Sequence, residues 1–250
     1  MTTRLTETAD IETASDDYAS RFAGPVGRWF LELQAEITLE LLRDLPGASV
    51  LDVGGGHGQL TMPLFEHGYR VTVTGSADIC RSRLERFCAP GSFSYLTCDS
   101  LNLPFADDSF DVVMSFRLLP HADQWQRLVG EMCRVAARAV IFDYPDRRSA
   151  NILYDSLFGL KKRMEGNTRT FRIFSRREIA AALAAEGYTP PRFRPEFFLP
   201  MVVHRKLGNP RLSRTLEGFF ATLGLRRLFG SPIIVRSDTG PAANRGGGGQ

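Results

Sequence analysis

From residue 27 onward, short apolar runs alternate with stretches whose apolar positions recur every three or four residues. In "GRWFLELQAEITLELLRDL", residues Phe30, Leu33, Ile37, Leu41 and Leu45 fall on one helical face. Residues 49–53 read as a strand, and a helix runs from about Gln59 to His67, stopped by Gly68. "RVTVTG" is the next strand, followed by a helix over 79–88. "FSYLTCD" and "FDVVMSF" are two more strands, "DQWQRLVGEMCRVA" a helix, and "RAVIFDYP" a strand ended by Pro145. "SRREIAAALAAEG" opens with a Ser cap at Ser175 and closes at Gly187. Later come strands "RFRPEFF" and "PIIVRS", with "SRTLEGFFATLGL" as a helix between them. Strands and helices in alternation predict an α/β protein, a parallel sheet with helices on both faces. The piece 150–170 breaks the alternation where a substrate-covering insertion belongs.

The flanks differ. Residues 1–16 are polar and rich in Thr and acids, and residues 239–250 end in a glycine run; both are expected to be disordered. One folded domain is expected over 17–238, with an insertion around 147–172 and a basic, aromatic C-terminal part over 188–235. At 43% hydrophobic and 24% charged, the chain suits an enzyme-sized globular domain. It has no apolar run of membrane-spanning length and no leader-like start, so a cytoplasmic location is expected. Cys80, Cys88, Cys98 and Cys133 lack any C-x-x-C spacing and are expected as free thiols. Charge is uneven: residues 1–150 hold 14 Lys and Arg against 21 Asp and Glu, a balance of −7. Residues 151–250 hold 17 against 7, a balance of +10, so the second half either faces something anionic or is a solvated basic surface.

Chemistry concentrates in "VLDVGGGHGQL", Val50 to Leu60. A strand feeding a glycine turn that opens a helix is the nucleotide-binding arrangement of open α/β sheets. The dinucleotide spacing is G-x-G-x-x-G. Here Gly54, Gly56 and Gly58, with Gly55 between them, make G-x-G-x-G; Gln59 stands where that spacing wants its third glycine. Asp52 beside the loop repels a pyrophosphate but suits a ligand carrying an ammonium group, which favours S-adenosylmethionine over NAD.

"VLDVGGGHG" resembles the first motif of class I S-adenosylmethionine-dependent methyltransferases of the type 11 kind. The likeness continues through "CDSLNLPFADDSFDVVMSFRLLPHADQWQRLVGEMCRV" and "AVIFDYP", and so covers about residues 48–146. The resemblance implies a Rossmann-like open sheet, mostly parallel with an antiparallel C-terminal strand, and S-adenosyl-L-methionine as cofactor. Asp52, Gly54, Gly55, Gly56 and Gly58 would hold its methionine end; Asp99, with Ser100 beside it, would meet the adenine amine; Ser115, Phe116 and Arg117 would line the floor under the sulfonium. The chain departs from the family at the end of the second strand, where an acid normally grips the ribose hydroxyls: the positions here are Gly75 and Ser76. Ser76 is left to bond one hydroxyl, with Asp78 either swinging back for the other or capping the next helix.

Methyl transfer from a sulfonium needs an aligned nucleophile and, in many cases, a base. His121, in "RLLPHAD", is the candidate general base; its other reading is a helix cap or a residue packed under a lid. Arg117 either binds an acidic group or pairs with Asp111 or Asp123, and Asp143 and Tyr144 either reach the site or close a turn. Asp99 has a turn-capping alternative, and Phe116 a core one. No His, Cys or carboxylate set has metal spacing. Acceptor recognition is expected from Tyr18, Arg21 and Phe22 and from the region 150–235, where Phe197, Phe198, Phe219 and Phe220 are alternatively the core of a cover. Basic residues among Phe and Leu fit an anionic or lipid-linked small molecule and peripheral membrane contact, with no nucleic acid expected. The expected activity is O-methylation of a hydroxylated metabolite or glycan. The alternatives are C-methylation of a quinone-like or lipid-linked ring, suggested by "LPFADDSFDVV", and a degenerate cofactor-binding scaffold without turnover. An NAD(P)-dependent oxidoreductase is disfavoured by Asp52 and Gln59.

Overall fold

Val50, Leu51 and Val53 of strand β1 (Ser49–Val53) are all fully buried, because the strand has a neighbour on each edge and helices over both faces. The computed structural model of the protein describes residues 7–149 and 171–241. Among these, β2 (Arg70–Gly75), β3 (Ser94–Thr97), β4 (Phe110–Ser115), β5 (Ala136–Tyr144), β6 (Arg192–Pro195) and β7 (Ile233–Asp238) join β1 in one sheet, ordered β3–β2–β1–β4–β5–β7–β6. The pairs among β1 to β5 are parallel, and β7 runs antiparallel to both β5 and β6. This is the mostly parallel, Rossmann-like sheet expected from the sequence, with its antiparallel strand near the C-terminus.

Alternation along each strand divides the core into two layers. Val50, Val112, Met114 and Ile141 pack with Leu41 of helix α3 (Gly24–Leu41), Leu64 of α4 (Thr61–Glu66) and Leu84 of α5 (Arg81–Phe87). On the opposite face Leu51, Val53, Val113 and Phe142 meet Leu128 and Met132 of α6 (Trp125–Val135) and Leu183 of α7 (Arg176–Ala185). Ser175 and Glu178 cap α7 reciprocally, as its sequence signals. A third, aromatic cluster of Trp29, Phe30 and Phe197 joins α3 to the C-terminal part. There, α8 (Met201–Leu207), α9 (Pro210–Thr222) and α10 (Leu225–Phe229) form the cover.

The N-terminal expectation needs correction. Residues 9–16 are not a disordered tail: α1 (Ala9–Thr13) and α2 (Asp16–Ser20) fold over the carboxyl ends of the strands. The segment's composition is polar, yet Asp10, Thr13 and Ala14 are buried because they seat against the glycine loop and the end of β2. The core of the expected insertion (150–170) and most of the C-terminal tail (242–250) lie outside the described residues. Thr239, at the start of that tail, bridges to Tyr188. The described cysteines carry free thiols, with Cys80, Cys88 and Cys133 buried.

Candidate functional site

The carboxyl end of β1 runs into Gly54 at φ 73° and Gly58 at φ 71°, left-handed conformations that favour glycine. Gly56 is required for a different reason: a Cβ there would lie 2.6 Å from the Cys80 carbonyl oxygen and 3.0 Å from Ala14 Cβ. Gly55 leaves no room for a side chain above the Asp52 carboxylate. Asp52 itself has no exposed surface, and neither of its oxygens has a hydrogen-bond partner among the described residues. Burial pushes its pKa up to about 7, against the pull of the Arg117 guanidinium and with the repulsion of Asp143.

Because Asp52 and Asp143 share strand parity with Val50 and Ile141, they project toward the α3 side of the sheet. Between them stands Arg117, just past β4. Its φ of 61° is unusual for a side-chain-bearing residue, and such strain concentrates at functional sites. Its amide donates to Asp143 Oδ1 at 2.6 Å, and its guanidinium lies 4.0 Å from the Phe22 ring centre. Arg117 Nη2 has no hydrogen-bond partner among the described residues. Asp111, one of the partners weighed for Arg117, instead accepts from Ser49.

Two cavities meet at Arg117. One, of about 400 Å³, is lined by Thr13, His57, Gly58, Gln59 and Arg117 beside the glycine loop. The other, of about 200 Å³, has aromatic walls from Tyr18, Phe22, Phe30 and Phe171, with His121, Asp143 and Glu196 among its polar lining. Gln34 Nε2 donates to Asp143 Oδ2 at 3.4 Å and to Glu196 Oε1 at 3.2 Å. Burial raises Asp143 to about 6 and Glu196 to about 8, the latter helped by repulsion from Asp143. In the glycine loop, burial and the nearby Arg117 hold His57 down at about 3, so it stays neutral.

Of the residues singled out from sequence, Asp52, the glycines, Arg117 and His121 converge here. Others are committed elsewhere. Phe116 is fully buried with Val112 and Met114 in the core layer, lining neither cavity. Ser115 Oγ donates to the Val53 carbonyl. Asp99 accepts from the Leu101 amide at 2.9 Å, closing a turn, with Ser100 half-buried beside it. Asp78 accepts from Thr97 Oγ1, and Ser76 bonds Asp10. Sequence reasoning passed over Gln34, Glu196 and Asp10. A glutamine inside the buried stripe of α3 is a readable signal, and so is a lone glutamate between Pro195 and Phe197; Asp10 has none.

Residues 51–142 match the sequence model of a family described as a methyltransferase domain. By that match, this segment is similar to methyltransferase domains. Phthiotriol/phenolphthiotriol dimycocerosates methyltransferase of Mycobacterium tuberculosis is 34% identical over 114 residues, 43% of this chain and 41% of that protein. The ubiquinone/menaquinone biosynthesis C-methyltransferase UbiE of Desulfotalea psychrophila is 34% identical over 117 residues, 44% of this chain and 46% of its own. The chain thus spans less than half the length of these curated relatives. Magnesium protoporphyrin IX methyltransferase from Synechocystis, solved with bound S-adenosylhomocysteine, shares the fold at a TM-score of 0.61 and 14% identity, covering 91% of this chain and 97% of that one. A Thermotoga maritima protein described as a possible histamine N-methyltransferase does so at 0.62 and 17%, covering 92% and 98%.

The cleft fits the amino-acid end of S-adenosylmethionine on its own chemistry. The unpartnered Asp52 oxygens suit an ammonium and the unpartnered Arg117 Nη2 a carboxylate, beside glycines that admit close backbone approach.

Proposed function

We propose that the protein transfers the methyl group of S-adenosylmethionine to a hydroxyl on a small, apolar, ring-bearing acceptor. The observation that carries this reading is Arg117, which lines both the glycine-loop cavity and the aromatic one, so that the two share a wall. Asp52, Gly54, Gly56, Gly58 and Arg117 hold the amino-acid end of the cofactor, and Asp99 with Ser100 serves its adenine, as the family likeness implies. When bound, the cofactor supplies an electrophilic methyl on a sulfonium. The chain supplies alignment, a dry apolar wall and a proton acceptor. Tyr18, Phe22, Phe30 and Phe171 sandwich a flat acceptor better than a glycan. Two groups are placed to take the hydroxyl proton: the imidazole of His121, beside Phe171 at 5.6 Å between ring centres, and the carboxylate of Glu196. A base works best with a pKa near the working pH, and Glu196 at about 8 meets that condition.

C-methylation of a phenolic ring is the second reading, favoured by the likeness to a C-methyltransferase at 34% identity. Incubation with S-adenosylmethionine and a panel of hydroxylated aromatic acceptors, followed by mass spectrometry of the product, tests both. An O-methyl ether is expected, with Glu196→Gln and His121→Ala each assayed for a loss of kcat on the order of 10²-fold or more. A methyl on ring carbon selects the second reading. S-adenosylhomocysteine binding without turnover on any acceptor supports a non-catalytic scaffold.

A further inference from the structure

We propose that Asp10 is the ribose-binding carboxylate of the cofactor cleft, carried by the N-terminal helix to the end of β2 in place of the side chain that Gly75 lacks. The inference rests on the cofactor reading above and deepens it.

In open α/β sheets a nucleoside lies outside the carboxyl ends of the strands, and an acid about 20 residues past the glycine turn takes the ribose hydroxyls. Gly75 occupies that place, and it cannot be anything larger. A Cβ there would collide with Tyr95 Oη and lie 2.9 Å from Cys80 Cβ. Tyr95 is not free to yield, since its hydroxyl donates to the Ala77 carbonyl at 2.9 Å. Asp78, the nearest acid in sequence, is turned toward β3 by Thr97 Oγ1.

The carboxylate arrives instead from 66 residues upstream. Asp10 Oδ2 accepts from the Ser76 amide at 2.6 Å and Oδ1 from Ser76 Oγ at 2.5 Å, with Cys80 Sγ 3.6 Å from Oδ2. Asp10 Cβ also lies 3.4 Å from where a Cβ on Gly54 would stand. The acid therefore bridges the turn after β1 and the end of β2, the two elements that flank a nucleoside in this fold. A carboxylate offers about four acceptor sites, of which Ser76 uses two and the Cys80 thiol a third. One is left for a ribose hydroxyl.

The helix that carries Asp10 is held on both sides. Ala14 packs at Gly56, and Glu7 Oε1 accepts from the Gln124 amide at 3.0 Å. Five residues of helix have no stability of their own, so α1 is ordered by these contacts and by whatever else Asp10 engages. Cofactor binding and closure of the N-terminal segment over the cleft are thereby coupled through one side chain.

The test is calorimetric titration with S-adenosylhomocysteine and with its 3′-deoxy analogue, on wild type, Asp10→Asn and Asp10→Ala. Amide hydrogen exchange over residues 9–14 is followed alongside. Wild type is expected to prefer the full ribose by about tenfold, the worth of one charge-assisted hydrogen bond. Both variants should bind S-adenosylhomocysteine about 10- to 100-fold more weakly and lose that preference. The ligand should slow exchange over 9–14 in wild type and less so in Asp10→Asn. Unchanged affinity in both variants overturns the proposal while leaving the cofactor reading intact. Tighter binding in Asp10→Ala also overturns it and makes α1 a plug rather than a ligand. Failure of the wild type to bind overturns the cofactor reading and the proposal with it.

Discussion

The Asp52 carboxyl, buried with no hydrogen-bond partner among the described residues, ties cofactor affinity to pH. An ammonium ligand selects its ionised form. With the free pKa at about 7, binding must deprotonate Asp52 below that pH. Affinity for S-adenosylhomocysteine should therefore rise with pH from 6 to 8, the loss below 7 approaching about tenfold per unit. Calorimetry across that range checks it. Asp52→Asn should flatten the profile, whereas Glu196→Gln, which removes a carboxyl of similar range in the neighbouring cavity, should leave the slope. A slope that survives Asp52→Asn assigns the titration to Asp143, which also faces Arg117. Asp52 and its glycines were legible in the sequence because a charged residue and a run of glycines have no reason to end a buried strand except a ligand. Phe116 sits in the core layer, its alternative reading, as strand alternation from Val112 to Met114 to Phe116 implies. Asp99 closes a turn by accepting the Leu101 amide at Oδ1, which alone does not set it apart as an adenine ligand. Asp10 and Glu196 were not legible as partners, since their contacts with Ser76 and Gln34 span 66 and 162 residues.

At the scale of elements, the C-terminal cover hangs on one carboxylate. Glu217 of α9 accepts the Phe198 amide at 2.8 Å and the Leu199 amide at 2.9 Å, and contacts His204 Nε2 of α8 at 3.0 Å. His204 in turn packs edge-on against Trp29, 5.1 Å between ring centres, so Glu217 links both cover helices to α3. Glu217→Ala leaves two amides and a buried imidazole without an acceptor and should cost about 2–4 kcal/mol, read as a lowered denaturant midpoint. Glu217→Gln keeps one acceptor oxygen and should cost less than half as much. Equal losses would mean that packing, not hydrogen bonding, holds the cover. Strands β1, β2, β4 and β5 were readable because each is a largely buried apolar run alternating with helices, and the mostly exposed β3 by its place in that alternation. The cover was only half readable: in "MVVHRKL" three apolar residues precede three basic ones, a pattern with no helical period, and α8 forms because His204 finds Glu217. The N-terminal helices fold for a similar reason. Asp10 of α1 is held by Ser76 and Asp16 of α2 by Arg83 and Arg86 of α5, contacts that composition does not reveal.

Over the whole molecule, charge and exposed apolar surface coincide. The basic half of the chain holds a solvent-facing stripe on α9 and just beyond it, Leu212, Phe219 and Leu223, exposed by 44%, 57% and 57%. These residues are spaced by seven and four and so share one helical face. Leu228 and Phe229 continue the patch, and the exposed Arg211, Arg214 and Arg227 flank it. No described helix is long and apolar enough to cross a membrane. An apolar stripe rimmed by arginine is the composition of an interfacial helix on anionic lipid. Sedimentation with phosphatidylglycerol-containing vesicles should recover the protein, and pure phosphatidylcholine vesicles should not. Raising the salt should weaken recovery, because exposed charges are screened within about 8 Å at physiological ionic strength. Phe219→Ser with Leu223→Ser should abolish it without changing affinity for S-adenosylhomocysteine, since neither residue lines a cavity at Arg117. Recovery would tie the acceptor to a bilayer, where an apolar ring is concentrated. Loss of the dependence on these two residues would return the stripe to a packing surface and leave the acceptor to arrive through water.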